Sequence, residues 1–315
     1  MKQVTSVLFY LEDEPDSATL DRAARVAESA GAKLTLAATV EPAGSHRRFA
    51  TRGLDVDEIE RLLVEDRQRR LEEAAELIRT PGVEIMTRVF VGDPVEVVIA
   101  AVQDEGFDFV AKPPSPDQGL RQQLFGSIDM HLMRTCPCPV LIGRPKKDGY
   151  SGRAVAAVSY DAGDKKHARL NNRILESAAF VADTEFAGIN EVHVVHAWQL
   201  YGESLLAHGR VKLPSDTFQE ALRQEEDKRE QWLTDRIDDF RTRMPKEAEV
   251  RFKPVLSLLH GDPKIVIPRL VKELDADVLS LGTVSRRGVE GRLIGNTAEE
   301  ILNRVSCSVV THKLA

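Results

Sequence analysis

The sequence predicts an α/β protein built from two tandem, Rossmann-like, doubly wound domains, each with a five-stranded, mostly parallel sheet. Internal repetition and the alternation of element types carry that expectation. VFVGDPVEVVIAAVQDEGFDFVAKPP, residues 89 to 114, realigns with LLHGDPKIVIPRLVKELDADVLSLGT, residues 258 to 283. Gly92, Asp93, Pro94, Asp108, Gly126 and Cys138 recur as Gly261, Asp262, Pro263, Asp277, Gly295 and Cys307, all at a separation of 169 residues. A register kept without gaps over that length marks duplication of a whole domain. Within each half, apolar runs alternate with segments of helical period, and strands joined by helices pair in parallel. GRPKKDGYSGR, residues 143 to 153, is rich in Gly and charge and reads as a linker, dividing the chain into domains 1–146 and 151–315.

VTSVLFYL and RAVAAVSY open the two halves as apolar first strands. SATLDRAARVAESAGA and HARLNNRILESAAFVA follow as helices, and KLTLAATV and EVHVVHAW as second strands. Long charged helices come next, LDVDEIERLLVEDRQRRLEEAAELI and TFQEALRQEEDKREQWLTDRIDDF, with apolar residues recurring at three and four. The third strand of each half ends in Gly-Asp-Pro. Asp93 and Asp262 are placed as N-caps, and Pro94 and Pro263 take the first helical position, where a missing N–H costs nothing. FDFVAK and ADVLSL are fourth strands; a loop, a last helix and the last strands CPCPVLIG and VSCSVVTHK complete the halves.

Composition excludes several function classes. A chain of 315 residues with 42% apolar residues can bury two cores. A net charge of −7 and a pI near 5.7 disfavour non-specific nucleic-acid binding, which needs a basic surface. No apolar run approaches the ~18 residues of a membrane-crossing helix, and MKQVTSVLFYLEDEPD lacks the features of a signal peptide. Three cysteines without framework spacing leave the cytoplasm as the expected compartment.

GTVSRRGVEGRLIGNTAEE, residues 282 to 300, lies where a strand gives way to a helix, the end at which α/β sheets bind ligands. Its glycines allow close approach of backbone to an anion, and Arg286, Arg287 and Arg292 could add charge-assisted bonds. The plainer alternative is that Thr297, three residues before Glu300, forms a capping box.

Domain order, the first-strand aspartate, the Gly-Asp-Pro helix start and a G-x2-G-x9-G-[ST]-like loop resemble the universal stress protein family. The Gly-Asn-Thr-Ala-Glu ending and MHLMRTCPCPVLI are most similar to its tandem-domain E type. The resemblance implies ATP, with Mg, as a ligand of the C-terminal domain. It places Asp161 beside adenine and ribose, Ala197 against the base, and Gly282, Ser285, Gly295, Asn296 and Thr297 around the phosphates. Ser285 replaces the second glycine of the family pattern and Asn296 its small hydroxyl residue, with the Thr297 hydroxyl next to it. The resemblance also implies that the halves pair through their last strands with pseudo-twofold symmetry, giving a pseudo-dimeric monomer with further homodimerisation open. Pro137 and Pro139 would suit an edge there.

In the first half, Pro113 and Pro116 stand at the positions of Gly282 and Ser285, and proline's fixed φ and absent N–H remove the cradle. No nucleotide is expected in the N-terminal domain; Gly126 and Ser127 remain as a helix cap, and Asp13, paralogous to Asp161, as a solvated acid. Cys136, Cys138 and Cys307 lack metal-finger spacing and read as small buried thiols. His193 and His196 face opposite sides of a strand, and His131 and His260 read as structural, so no metal site is assigned. Phosphate-loop, dinucleotide and nucleophile-elbow motifs are missing, so no catalytic residue is assigned and the protein is read as a non-enzyme, slow ATP hydrolysis aside. Three functions stay open: a stress-response protein using an adenine nucleotide as sensor or switch, a binder of an apolar or lipid-like ligand whose pocket or lid the insertion at 198 to 218 would form, and a ligand-free interaction scaffold.

Overall fold

The computed structural model describes residues 4–13, 17–43, 55–79, 81–115, 125–144, 149, 151–185, 191–203, 215–244, 246, 252–283 and 295–313. In the first half, β1 (Ser6–Tyr10), α1 (Ser17–Ala30), β2 (Lys33–Val40), α2 (Val56–Leu77) and β3 (Ile85–Val91) are followed by α3 (Pro94–Asp104), β4 (Phe109–Lys112), α4 (Ser127–Thr135) and β5 (Val140–Ile142). The second half repeats the series as β6 (Arg153–Ala157), α5 (Lys165–Glu185), β7 (Glu191–Trp198), α6 (Ser215–Arg241) and β8 (Val255–His260), then α7 (Pro263–Glu273), β9 (Val278–Gly282), α8 (Asn296–Leu302) and β10 (Ser308–His312).

The ten strands of the described residues form one sheet in the order β3-β2-β1-β4-β5-β10-β9-β6-β7-β8. Each half has its five strands parallel, and the expected two sheets are fused by one antiparallel pairing. Val309 lies opposite Ile142, Val310 opposite Leu141 and Thr311 opposite Val140. The order read outward from this seam is the same in both directions, which is the expected pseudo-twofold relation. Central strands are buried on both faces, as parallel sheets require: Leu34 and Leu36 on β2, Val155 on β6 and Leu279 on β9 are fully buried. The terminal strands β3 and β8 hold no fully buried residue, as edges do.

Two apolar clusters sandwich the sheet, and both contain residues of both halves. In one, the Phe109 and Phe180 rings meet edge to face at 5.8 Å. The caps form where the sequence places them. Asp93 accepts from Val95 N (3.0 Å) and Glu96 N (3.1 Å), and Asp262 accepts from Lys264 N (2.9 Å).

Two local expectations are corrected. β5 is not an edge strand but lies between β4 and β10, and Pro137 and Pro139 are tolerated because they precede its first residue. The Pro139 carbonyl still accepts from Val110 N at 3.0 Å. Thr297 forms no capping box, because α8 begins one residue earlier, with Gly295 at the N-cap and no side-chain cap bond.

Candidate ligand pocket

β6 and β9 are neighbours whose following helices pass to opposite faces of the sheet, and a cleft opens at such a switch point. A cavity of about 570 Å³ occupies it. Its floor is the carboxyl ends of β6, β7 and β9, at Ala157, His196, Ala197 and Gly282. One wall is the inner face of α5, where His167, Leu170 and Ile174 recur at helical spacing; the other is the start of α8, from Gly295 to Ala298. Most of the remaining lining is aliphatic, with Ile267, Leu281 and Ile301. A Cβ at Gly282 would lie 2.8 Å from Leu170 Cδ2, so a larger residue there would have to push the Leu170 side chain aside.

Asp161 lies buried beside this floor, held by the turn that leaves β6. Its Oδ1 accepts from Gly163 N at 3.1 Å, and Ala162 between them takes a left-handed φ of 47°. Such a non-glycine outlier is a strain of about 1–3 kcal/mol that surrounding contacts must hold. The Asp161 Oδ2 receives Arg236 Nη2 at 2.7 Å from α6. Weaker bonds at 3.4 Å come from Trp232 Nε1 and Asn171 Nδ2. Asn171 also clamps Ser159, accepting from its N at 3.1 Å and donating to its O at 2.8 Å. The Trp232 ring contacts Tyr160 and His196 edge to face, at 5.3 and 4.9 Å, and the Arg229 guanidinium covers Tyr160 at 3.8 Å. At the mouth, His167 Nδ1 sits 2.7 Å from the exposed Asp164, and that hydrogen bond holds the carboxyl below the usual carboxylate range.

The matching place in the first half is filled. By the repeat, Lys112 stands for Leu281, Pro113 for Gly282 and Asp129 for Ala298. The Lys112 ammonium is buried and bonded to Glu12 (2.7 Å), Pro113 O (2.8 Å), Ser115 Oγ (3.2 Å) and Asp129. Asp129 in turn accepts from Ser115 N at 3.0 Å and Gly126 N at 3.1 Å. An internal cation and its carboxylates thus occupy the place of a cavity.

Of the residues the resemblance singles out, Ala197, Gly282, Gly295, Asn296 and Thr297 all line the cavity, and Asp161 adjoins it through Ser159 and Asn171. Ser285, the three loop arginines and Pro116 lie outside the described residues, as does most of the 198 to 218 insertion. Asp13 is exposed. His193 Nε2 lies 3.1 Å from a Glu191 carboxylate oxygen, and His260 pairs with Glu203 at 2.8 Å against the Trp198 ring. His196, given no ligand role from sequence, is part of the floor, with Nδ1 3.1 Å from Val158 O. The missed wall residues His167, Leu170 and Ile174 carried a signal in their three-and-four spacing, but that spacing does not say which side of the helix a ligand uses. Among the described residues no group of three or more His, Cys, Asp or Glu is placed to hold a metal, and no helix is long and apolar enough to cross a membrane.

A 3-2-1-4-5 strand order duplicated within one sheet, with an open switch-point cavity in the second half, defines a tandem doubly wound α/β protein. The sequence profile described as "Universal stress protein family" matches residues 6–144 and 171–313, and the chain belongs to that family. It is similar to Universal stress protein E of Escherichia coli strain K12, 27% identical over 247 residues that span 77% of this chain and 72% of the relative. The homologue from Haemophilus influenzae is 25% identical over 236 residues, 73% of this chain and 70% of that one. Among solved structures, a functionally unknown protein from Pseudomonas aeruginosa PAO1 superposes with a TM-score of 0.65 at 25% identity, covering 99% of this chain and 93% of the other. Membership supports a stress-response role.

Proposed function

We propose that the second half binds an adenine nucleotide, ATP before AMP, in the switch-point cavity, and that the protein serves in the cytoplasm as a stress-response sensor or switch without catalysing a reaction. The carrying observation is the contrast between the halves: one switch point is an open cavity of about 570 Å³ lined by five of the expected residues, the other is closed by Lys112 and Asp129. That volume lies within the ~300–1,000 Å³ of small-molecule sites. Aliphatic walls on α5 and α7 suit a purine face. The backbone at Gly295 to Thr297, with its two polar side chains, suits phosphate oxygens. Asp161 already has four donors, so a ribose or adenine must displace the 3.4 Å bonds from Trp232 or Asn171, the two weakest.

The aliphatic lining favours a second reading, an apolar or lipid-like ligand, and the engagement of Asp161 by Arg236 favours it too. Calorimetric titration with Mg·ATP and with AMP separates the two. The nucleotide reading expects one saturable site per chain, tighter for ATP and lost in Gly295→Asp with folding intact. If equilibrium dialysis at millimolar ATP also shows nothing, while organic extracts of the purified protein contain a lipid, the apolar ligand takes the site.

A further inference from the structure

Cys136 and Cys138 lie outside the pocket, flanking Pro137 in the bend that joins α4 to β5, and the family role makes no use of them. Their Sγ atoms are 3.5 Å apart, and both thiols are free. Cys136 is buried and Cys138 is half-buried, packed against the edge of the core. We propose that Cys136 and Cys138 form a reversible dithiol/disulfide couple that is oxidised by small hydroperoxides.

Geometry supports closure within the chain. Two residues apart, the thiols need only the ~1.5 Å from their present separation to a bonded ~2.05 Å, a shift within reach of side-chain rotation about the fixed Pro137. Ionisation supports it as well. The contact with the Cys138 sulfur, and the nearby Lys313 charge, lower the Cys136 thiol, whereas the same contact and burial push Cys138 up. The two thiols therefore titrate as a pair that shares a proton. A thiolate of the pair attacks a peroxide oxygen; the O–O bond breaks, that sulfur becomes a sulfenic acid, and the departing hydroxide takes up the proton released on ionisation to leave as water. The second thiol then attacks the sulfenic sulfur, its proton leaves with the departing hydroxide as a second water, and the S–S bond forms. Two thiols lose two electrons, and hydrogen peroxide is reduced to two waters. Cys307 is the internal control: its thiol is buried, and burial pushes it up to about 12.

β5 begins two residues after Cys138 and, among the described residues, makes the only strand pairing between the halves, so the couple sits at the seam. The test treats reduced full-length protein with a small excess of hydrogen peroxide, then measures intact mass and free thiols after unfolding. The expected result is loss of two of the three thiols with a mass lower by two hydrogens, reversed by dithiothreitol, and a peptide linking Cys136 to Cys138. Cys138→Ser should abolish the two-hydrogen loss while leaving the circular dichroism spectrum unchanged. Three intact thiols, addition of oxygen without the two-hydrogen loss, or a disulfide-linked dimer as the main product would each overturn the proposal.

Discussion

Lys112 and Asp129 stand where the repeat puts Leu281 and Ala298, and both are fully buried. Removing two charges from water costs several kcal/mol per ion, and here mutual attraction and the bonds to Ser115, Pro113 and Gly126 offset it. Copying one side of the repeat alone should therefore be costly. Lys112→Leu leaves Asp129 as a buried uncompensated carboxylate and is expected to lower unfolding free energy by about 3–5 kcal/mol. Lys112→Leu with Asp129→Ala leaves no fully buried charge, only the part-exposed Glu12, which keeps its bond from Ser115, and should lose clearly less than the single variant. Urea unfolding of the three proteins decides it. A double variant that loses as much as Lys112→Leu, or more, would show that the cost does not come from an uncompensated Asp129. The sequence could not reveal this network. Asp129 lies 17 residues from Lys112, and Ser115 is bonded to Glu12 across 103 residues, distances at which only the folded chain brings partners together.

At the scale of elements, β10 is buried along its whole length and ends in His312. The His312 Nε2 lies 3.2 Å from Ser280 Oγ, whose hydroxyl donates to Ile174 O at 3.0 Å, so Nε2 carries the proton and donates to Ser280. Nδ1 has no hydrogen-bond partner among the described residues, and burial pushes the ring down to about 3. Unfolded, the ring titrates near 6.5. Between those values the unfolded chain holds the extra proton, so stability is full above pH ~6.5 and falls as pH drops, by up to about 1.4 kcal/mol per unit. His312→Gln removes this titration, and its unfolding free energy should fall less steeply from pH 6.5 to 5. Parallel slopes in the two proteins would sink the assignment. What sequence could supply at this scale was local chemistry: Asp93 and Asp262 cap as their Gly-Asp-Pro context requires, and α2 and α6 follow their apolar spacing. It failed where neighbours decide. Pro139 was read as an edge residue because the strand's second partner comes from the other half, and Thr297 was read as a cap because Gly295 has no side chain to announce the true one.

For the whole molecule, the seam between β5 and β10 makes the halves one folding unit. Val140, Leu141, Ile142, Val309 and Val310 are fully buried there, and each contributes about 1.5–3 kcal/mol when removed from water. Both apolar clusters cross the seam, and Phe109 of one half packs on Phe180 of the other. Even part of that sum is comparable with the ~5–15 kcal/mol that stabilises a whole domain, so neither half can stay folded beside an unfolded partner. The 35.0 kDa chain should therefore melt in one transition whose calorimetric and van't Hoff enthalpies agree. Val310→Asp, which buries a charge at the seam in β10, should lower the melting temperature while keeping the transition single, because the loss falls on both halves at once. Two resolved transitions, or a Val310→Asp protein in which the first half melts at its original temperature, would mean that the continuous sheet joins two independent units.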